Sequence, residues 1–378
     1  MISSKEALDA SRANFHARWS VGEGSATDRI RKHLVVPVGR QSFNASPTDT
    51  FFAIGSCFAR NVEERLEQSG ATVTSRRIAV RDLGDASARE GGVFNKYTPV
   101  SILQELKWAA GVETYPKSAL LQERPGIYYD PYLSGKAGRG TIEELMQRRA
   151  EIHAYFAQAF DADVVILTMG LIESWTDLKT GLELNEAPSP KLLARGGDRF
   201  GFRTLSLEEC EQALKDAVSL LKQHGKPGQR IILTVSPVPL GRTFTQEDII
   251  IANMTSKSVL RVAVSRLVEV TEGLDYFPSY EAVMLSDRSL SWQSDFRHVS
   301  DAVVGQIIET FLHRYGVSHG TQSDQEAALA ALQKDSVFHA WAERSEDTDA
   351  LLAKLNQQLN KYKNQVIKLQ KELRKSVE

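Results

Sequence analysis

Phe51-Phe52-Ala53-Ile54-Gly55-Ser56-Cys57-Phe58-Ala59 starts as four consecutive apolar residues and breaks at a glycine. A short apolar run bounded by a turn residue predicts a strand buried on both faces. Beyond the break, Phe58, Val62 and Leu66 recur at helical spacing, so the segment reads as strand, tight turn, helix. The same texture returns along the chain. Strands are predicted at 71–74, 164–168, 231–235 and 274–277, separated by helical stretches near 98–110, 141–160, 206–223, 248–270 and 300–315. Buried-type strands alternating with helices predict an α/β fold, a parallel sheet covered on both faces in a three-layer α/β/α sandwich.

Outward from this core, residues 1–45 mix a short helical pattern (Ala7, Leu8, Phe15, Trp19) with Gly, Ser and basic residues and read as an N-terminal arm. The alternating domain occupies 46–318. Two stretches interrupt it, 75–97 and 171–205, both rich in Gly, Arg, Asp, Asn and Pro, and are expected to be loops shaping a substrate mouth at the C-terminal strand ends. After Gly316 the sheet pattern stops. A polar helical linker is expected over 319–347. In the tail, 348–378, apolar residues at Leu352, Leu355, Leu359, Tyr362, Val366, Leu369 and Leu373 follow a heptad seam. A coiled coil making a homo-oligomer through 348–376 is the natural reading, and an amphipathic helix folded back on the domain is the alternative. From 351 to 378 there are seven Lys or Arg against two Glu, so the tail is basic.

Composition narrows the classes. Across 378 residues, 42% hydrophobic and 25% charged side chains argue against wholesale disorder, collagen-like repeats and membrane embedding. A formal charge of -2 gives no global electrostatic reason to expect nucleic acid as a partner. The N-terminus lacks a basic stretch followed by an apolar one, and no run of 18 apolar residues occurs later, so neither secretion nor a transmembrane segment is expected. Two cysteines, Cys57 and Cys210, are too few for a disulfide framework, and the expected location is cytoplasmic. The eight histidines show no metal-ligand spacing, so neither a metal nor a cofactor is predicted.

Four places could carry chemistry. A nucleophile on the turn between strand and helix stands clear of the sheet beside unpaired N–H groups and the positive end of the helix dipole, which favours Cys57, the stronger nucleophile, over Ser56. A buried small Cys57 and a helix-capping Ser56 are the bland alternatives. Cys210 shares a helical face with Leu207, Leu214 and Leu221 and reads as core. Asp295-Phe296-Arg297-His298 places a carboxylate three residues before an imidazole on a turn; Asp295 can accept the Nδ1 proton and leave Nε2 as general base, although loop Asp and surface His pairs are common. Gly170 ends the strand at 164–168 and permits close approach of a ligand or merely a turn. Asn95 offers an amide to an oxyanion or serves a turn, while Tyr97, Trp175 and Trp292 could stack on a sugar ring or simply pack.

Together these residues carry a family resemblance. Gly55-Ser56-Cys57-Phe58-Ala59 is similar to the signature of the GSCFA family, a branch of the SGNH (GDSL-like) hydrolase superfamily. Thr168-Met169-Gly170-Leu171-Ile172-Glu173-Ser174-Trp175, Ser236-Pro237-Val238-Pro239, Ser256-Lys257-Ser258-Val259-Leu260-Arg261, Tyr276-Phe277-Pro278-Ser279-Tyr280-Glu281 and Asp295 to His298 also resemble it, in order, over roughly 46–315. The resemblance implies a flavodoxin-like SGNH fold with its nucleophile after the first strand and an Asp-x-x-His before the last helix. In the superfamily's Gly-Asp-Ser block the third position is the nucleophile, here Cys57, with Ser56 in the Asp place; a register shifted by one promotes Ser56. The Gly-x-Asn-Asp block corresponds to Gly170 with Ile172 and Glu173, so its Asn is missing and Asn95 is the candidate substitute. Glu173 and Trp175 fall among the substrate-binding positions. His298 is followed by Val299 where related sequences often carry Pro.

The implied function is an ester hydrolase or O-acyltransferase working through an acyl-enzyme, on an O-acylated carbohydrate or with acyl-CoA as donor. A non-catalytic glycan-binding or scaffold protein that oligomerises through its tail is the competing class, motivated by the missing Asn. The tail expectation stands apart from the chemistry: removal of residues 348–378 should lower the mass measured by light scattering to that of a monomer, and an unchanged size refutes assembly through it.

Overall fold

The computed structural model describes residues 1–20, 22–31, 34–77, 93–133 and 135–317. The linker and coiled-coil expectations, together with 78–92 of the first expected loop, lie outside the described residues. Five parallel strands make the central sheet: Thr50–Ile54 (β1), Thr72–Val73 (β2), Val164–Met169 (β3), Arg230–Val235 (β4) and Leu274–Tyr276 (β5). Their spatial order is β2-β1-β3-β4-β5. That order reverses direction between β1 and β3, the switch point at which flavodoxin-type sheets open a crevice at their carboxyl ends.

Pleating assigns each strand residue to one of two cores. Phe52 and Ile54 of β1, Val165 and Leu167 of β3, and Ile231 and Leu233 of β4 face one side. Phe51, Ala53, Val164, Ile166 and Ile232 face the other. A sheet buried on both faces needs this uninterrupted apolar sequence rather than alternation. Register follows, with Phe51 opposite Val164 and Ile54 opposite Leu167. On the first face pack Pro99–Ala109 (α2), Ile142–Asp161 (α3), Leu207–His224 (α4) and Ile249–Val270 (α5). On the second pack Cys57–Gln68 (α1) and Asp301–Arg314 (α6). The α/β sandwich expected from the sequence is therefore observed.

Helix starts obey local chemistry. Thr141 and Ser206 cap α3 and α4, with Glu144 and Glu209 reaching back to the cap N–H groups. Pro99 occupies the first turn of α2 behind Thr98, where a missing N–H costs nothing.

Stretch 171–205, expected as a loop, instead contains a three-stranded antiparallel sheet. Glu173–Asp177 lies between Leu182–Leu184 and Phe200–Thr204. Polar Ser174, Thr176 and Asp177 conceal it in the sequence; burial comes from docking Leu182, Leu184 and Phe200 on Trp108 and Tyr115 of a third apolar cluster. A second small sheet, Leu121–Arg124, Ile127–Tyr129 and Arg139–Gly140, was likewise not anticipated. Beneath these layers, Arg149 grips Asp130 through Nε at 2.6 Å and Nη2 at 3.1 Å, and Lys96 pairs with Glu105 at 3.0 Å, all four fully or nearly fully buried. Such pairs hold because each charge keeps its partner; removing one leaves an isolated buried ion.

Part of the expected arm joins the domain. Leu34, Val35 and Ala45 are buried, the Val35 N–H donates to Ser286 Oγ at 2.8 Å, and the Ser42 N–H donates to the Asp275 carboxylate on β5. Ala45 N–H closes the strap on Tyr315 O at 2.7 Å, just after α6.

The turn from β1 to α1 touches β3 most closely at Gly55. A Cβ there would lie 2.6 Å from Thr168 Cβ and 2.7 Å from Thr168 O, with Ala59 Cβ at 3.1 Å. Backbone cannot yield as a side-chain tip can, so Gly55→Ala should cost about 1–3 kcal/mol, the range for overpacked cores. Thermal unfolding measures it; an unchanged melting temperature would show that the turn is loose.

Candidate functional site

A cavity of about 570 Å³ opens at the carboxyl ends of β1, β3 and β4. Ser56 and Cys57 follow β1, Gly170 follows β3 and Ser236 follows β4, and all four line it. Its outer wall is built by Trp175 on the small antiparallel sheet, the Asn185–Pro190 turn and the segment from Val238 to Phe244.

At the β1 end, Ser56 is the helix cap. Its Oγ accepts the Phe58 N–H at 3.4 Å and lies 3.4 Å from Ser236 Oγ, and the residue is buried. Cys57 is the first residue of α1, a free thiol, half-buried and on the cavity wall. Its N–H belongs to the first helical turn, which has no acceptor within the helix. Cys210, by contrast, is enclosed among the α4 core residues, and burial pushes its thiol up to about 12.

The second element is a reversal between Trp292 and Val299, which bridge antiparallel strands of backbone. Gln293 N–H donates to His298 O, and Phe296 N–H donates to Gln293 O. Phe296, 59% exposed, takes a positive φ of 53°, a left-handed conformation disfavoured for a side-chain-bearing residue. That twist turns the Arg297 and His298 N–H groups onto Asp295 Oδ1 at 2.9 and 3.0 Å, while His298 Nδ1 lies 2.5 Å from Asp295 Oδ2. Those three hydrogen bonds, the backbone ones first, hold the Asp295 carboxyl well below the usual range. An ionised Asp295 makes Nδ1 the donor, so the neutral ring leaves Nε2 as its basic atom. Both side chains are 46% exposed. Arg297, next in the chain to His298, lines the cavity with Cys57 and rests against Gly241.

Several predicted binding groups are already engaged. Gly170 lines the cavity, but its N–H donates to Tyr97 O at 2.8 Å. Asn95 is buried; its Nδ2 donates to Tyr97 Oη at 3.3 Å, and Asn185 Nδ2 donates to the Asn95 carbonyl at 2.8 Å. Glu173 faces the cavity while accepting Thr243 Oγ1 at 2.6 Å and the Phe244 N–H at 2.9 Å, so it fastens the outer wall. Trp175 packs with Phe202 and Phe244, ring centroids 5.3 and 5.0 Å away. Trp292 is buried in the α1/α6 core rather than presented to the cavity. Burial raises the Tyr97 phenol to about 12, with the Glu186 carboxylate beside it adding to the rise, and burial also raises Glu186.

Lys257 lies in one of the family-like blocks but has no role in the sequence reading. It is fully buried on α5, at helical spacing with core residues Leu260, Val264 and Leu267. Nζ donates to Gly170 O at 2.5 Å and to Val238 O at 2.8 Å, joining the ends of β3 and β4 behind the cavity. Burial pushes its ammonium down to about 7, with the neighbouring Cys57 opposing the fall. The available signal was a lysine occupying the core register of an otherwise apolar helical stripe. Among the described residues no cluster of His, Cys, Asp and Glu could hold a metal ion, and no helix is long and apolar enough to cross a membrane.

Depressed as it is, the Asp295 carboxylate should keep the turn closed above the ordinary aspartate range near 3.9 and lose it only as pH falls further. Carbon-13 carboxyl shifts of labelled protein test this: Asp295 should titrate later on acidification than the exposed aspartates, and coincidence with them would show that the turn is open in solution.

The model of the GSCFA family matches residues 50–311, from β1 into α6. Comparison with curated proteins and with solved structures gives no significant match.

Proposed function

This chain belongs to the GSCFA family, and on that premise we propose that it is an SGNH-type acyl-transfer enzyme, an ester hydrolase or O-acyltransferase that forms an acyl-enzyme on Cys57. The observation that carries the reading is a thiol at a helix start, half-open to a 570 Å³ cavity at the sheet's switch point, with Arg297, the residue before His298, on the wall of the same cavity. The strand order and the Asp-x-x-His turn before the last helix accord with SGNH membership.

Chemically, Cys57 Sγ attacks the ester or thioester carbonyl, and its proton passes to His298 Nε2. The carbonyl π electrons move to oxygen, where the Cys57 N–H at the helix mouth meets the developing charge. Collapse expels the alcohol or thiol, which takes the proton from His298. Water or a sugar hydroxyl then gives its proton to His298 and attacks the thioester, and the departing Cys57 sulfur takes that proton back from His298. Ser56 is the weaker nucleophile candidate, because its hydroxyl caps α1 and meets Ser236.

The substrate proposed is an O-acylated carbohydrate, or acyl-CoA as donor. Trp175 and Phe244 offer apolar ring surface on the cavity wall for a sugar face, and Arg242 and Arg297 offer guanidinium groups for phosphate or carboxylate. The two free thiols accord with a reducing compartment, so the proposal places the chain in the cytoplasm, assembled through 348–376.

Purified protein tested on p-nitrophenyl acetate and acetyl-CoA should turn over, and Cys57→Ala or His298→Ala should reduce kcat about a thousandfold or more, Asp295→Asn about a hundredfold or more. Intact mass after donor trapping should show an acyl adduct in wild type and Ser56→Ala but not in Cys57→Ala. Equal rates in wild type and variants would sink the enzyme and favour a binding or scaffold role.

A further inference from the structure

Negative charge at Cys57 needs compensation, and apart from the Cys57 N–H itself the neutral donors predicted for it are engaged elsewhere. Gly170 gives its N–H to Tyr97, Asn95 gives its amide to the Tyr97 phenol, and Asn185 is held between the Tyr97 N–H and the Asn95 carbonyl. Ser56 Oγ caps α1 and contacts Ser236. What remains beneath the floor is Lys257, 0% exposed, holding Gly170 O and Val238 O from below. Two carbonyls account for two of the three N–H bonds of an ammonium, and both carbonyls belong to residues that line the cavity with Cys57.

A charge is an expensive way to join two carbonyls. A neutral amide donor would bridge them without the desolvation cost of burying an ion, a cost large enough to shift the group's own titration when no opposite charge compensates. Lysine there is explained if its charge is used. We propose that Lys257 is the buried counter-cation of Cys57, a positioning residue that favours the thiolate and the negative charge passed from sulfur to the carbonyl oxygen. This rests on Cys57 being the nucleophile and adds the source of its activation. Burial drives the Lys257 ammonium down to about 7, and Cys57 is the group that opposes the fall.

Other charged groups face the same space and set the background for any titration. Tyr97 precedes α2, Glu173 opens the central strand of the small sheet, Glu186 follows Leu182–Leu184, Arg242 lies on the outer wall, and Arg297 comes from the turn before α6, next in the chain to the Asp295–His298 pair. On α1 itself, Arg60 and Glu63 face each other at 2.8 Å and neutralise one another. Lys257 is fully enclosed behind the floor with only the two carbonyls as hydrogen-bond partners among the described residues, where solvent screens its field weakly.

Two measurements test the assignment without using ester turnover. In a Cys210→Ala background, the rate of Cys57 alkylation by iodoacetamide at neutral pH should fall about tenfold in Lys257→Met, a change of about one unit in the balance between thiol and thiolate. Because Lys257→Met also removes the clamp, the second measurement leaves Lys257 in place: the side-chain carbon shift of labelled Lys257 is followed against pH in wild type and Cys57→Ala. Reciprocity requires the Lys257 midpoint to fall in Cys57→Ala, by about half a pH unit or more. An unchanged Lys257 midpoint overturns the proposal, whatever the alkylation rate does. Coupling present with no ester turnover would sink acyl transfer and leave the pair standing, whereas Cys57-dependent turnover with no coupling would do the reverse.

Discussion

Gly55 lies against the end of β3 with no room for a side chain, and the rest of the site follows from that contact. Thr168 Cβ and O close over the place where a Cβ would stand. The chain leaving β1 is therefore pressed against its neighbour at the sheet's reversal point, and α1 must start at once. Ser56 becomes the cap because it is the first residue beyond the turn, and Cys57 becomes the first helical residue because Ser56 caps. A thiol at a helix mouth is thus a result of how two strands approach, before any chemistry is asked of it. Lys96 N–H reinforces the same corner by donating to Gly55 O at 2.9 Å.

The central sheet and its six helices were legible because their signals are local and strong. Four apolar residues ending in glycine, or Thr141 three residues before Glu144, mean the same thing in most surroundings. The outer wall was not legible. Glu173-Ser174-Trp175-Thr176-Asp177 has too little apolar alternation to announce a strand, and its pairing is decided by long-range docking on Trp108 and Tyr115. At the site, the letters indicated Cys57 and the Asp295–His298 pair, since both depend on near neighbours in the chain. Whether a backbone group is free depends on distant partners, so the engagement of the Gly170 N–H by Tyr97 and of the Asn95 carbonyl by Asn185 could not be read. Lys257 was hidden for the same reason: its partners are the carbonyls of Gly170 and Val238, on two other elements.

Several charged groups behind the cavity are tied to one another. Glu173 secures the wall at Thr243 and Phe244, and the buried Lys96–Glu105 and Arg149–Asp130 pairs sit behind the segment that carries Tyr97. Buried pairs of this kind stiffen what they support, because a member that moved would leave a desolvated partner. The turn from 293 to 298 is built differently. It stands exposed, with a left-handed Phe296 at its tip, and is held by its own carboxylate and by backbone bonds of its own residues. Rigid floor and self-supported rim make a division suited to a cavity whose contents must enter and leave.

The strap over residues 34–45 bears on how this molecule meets its neighbours. Parallel sheets end in outer strands whose free hydrogen-bonding rows invite pairing with another chain. Along β5, Ser42 is tied to the Asp275 carboxylate, and Ala45 to the residue that follows α6. The leading segment of the polypeptide thereby obstructs the flank where a foreign strand would otherwise add, and growth of one continuous sheet from molecule to molecule on that side is sterically discouraged.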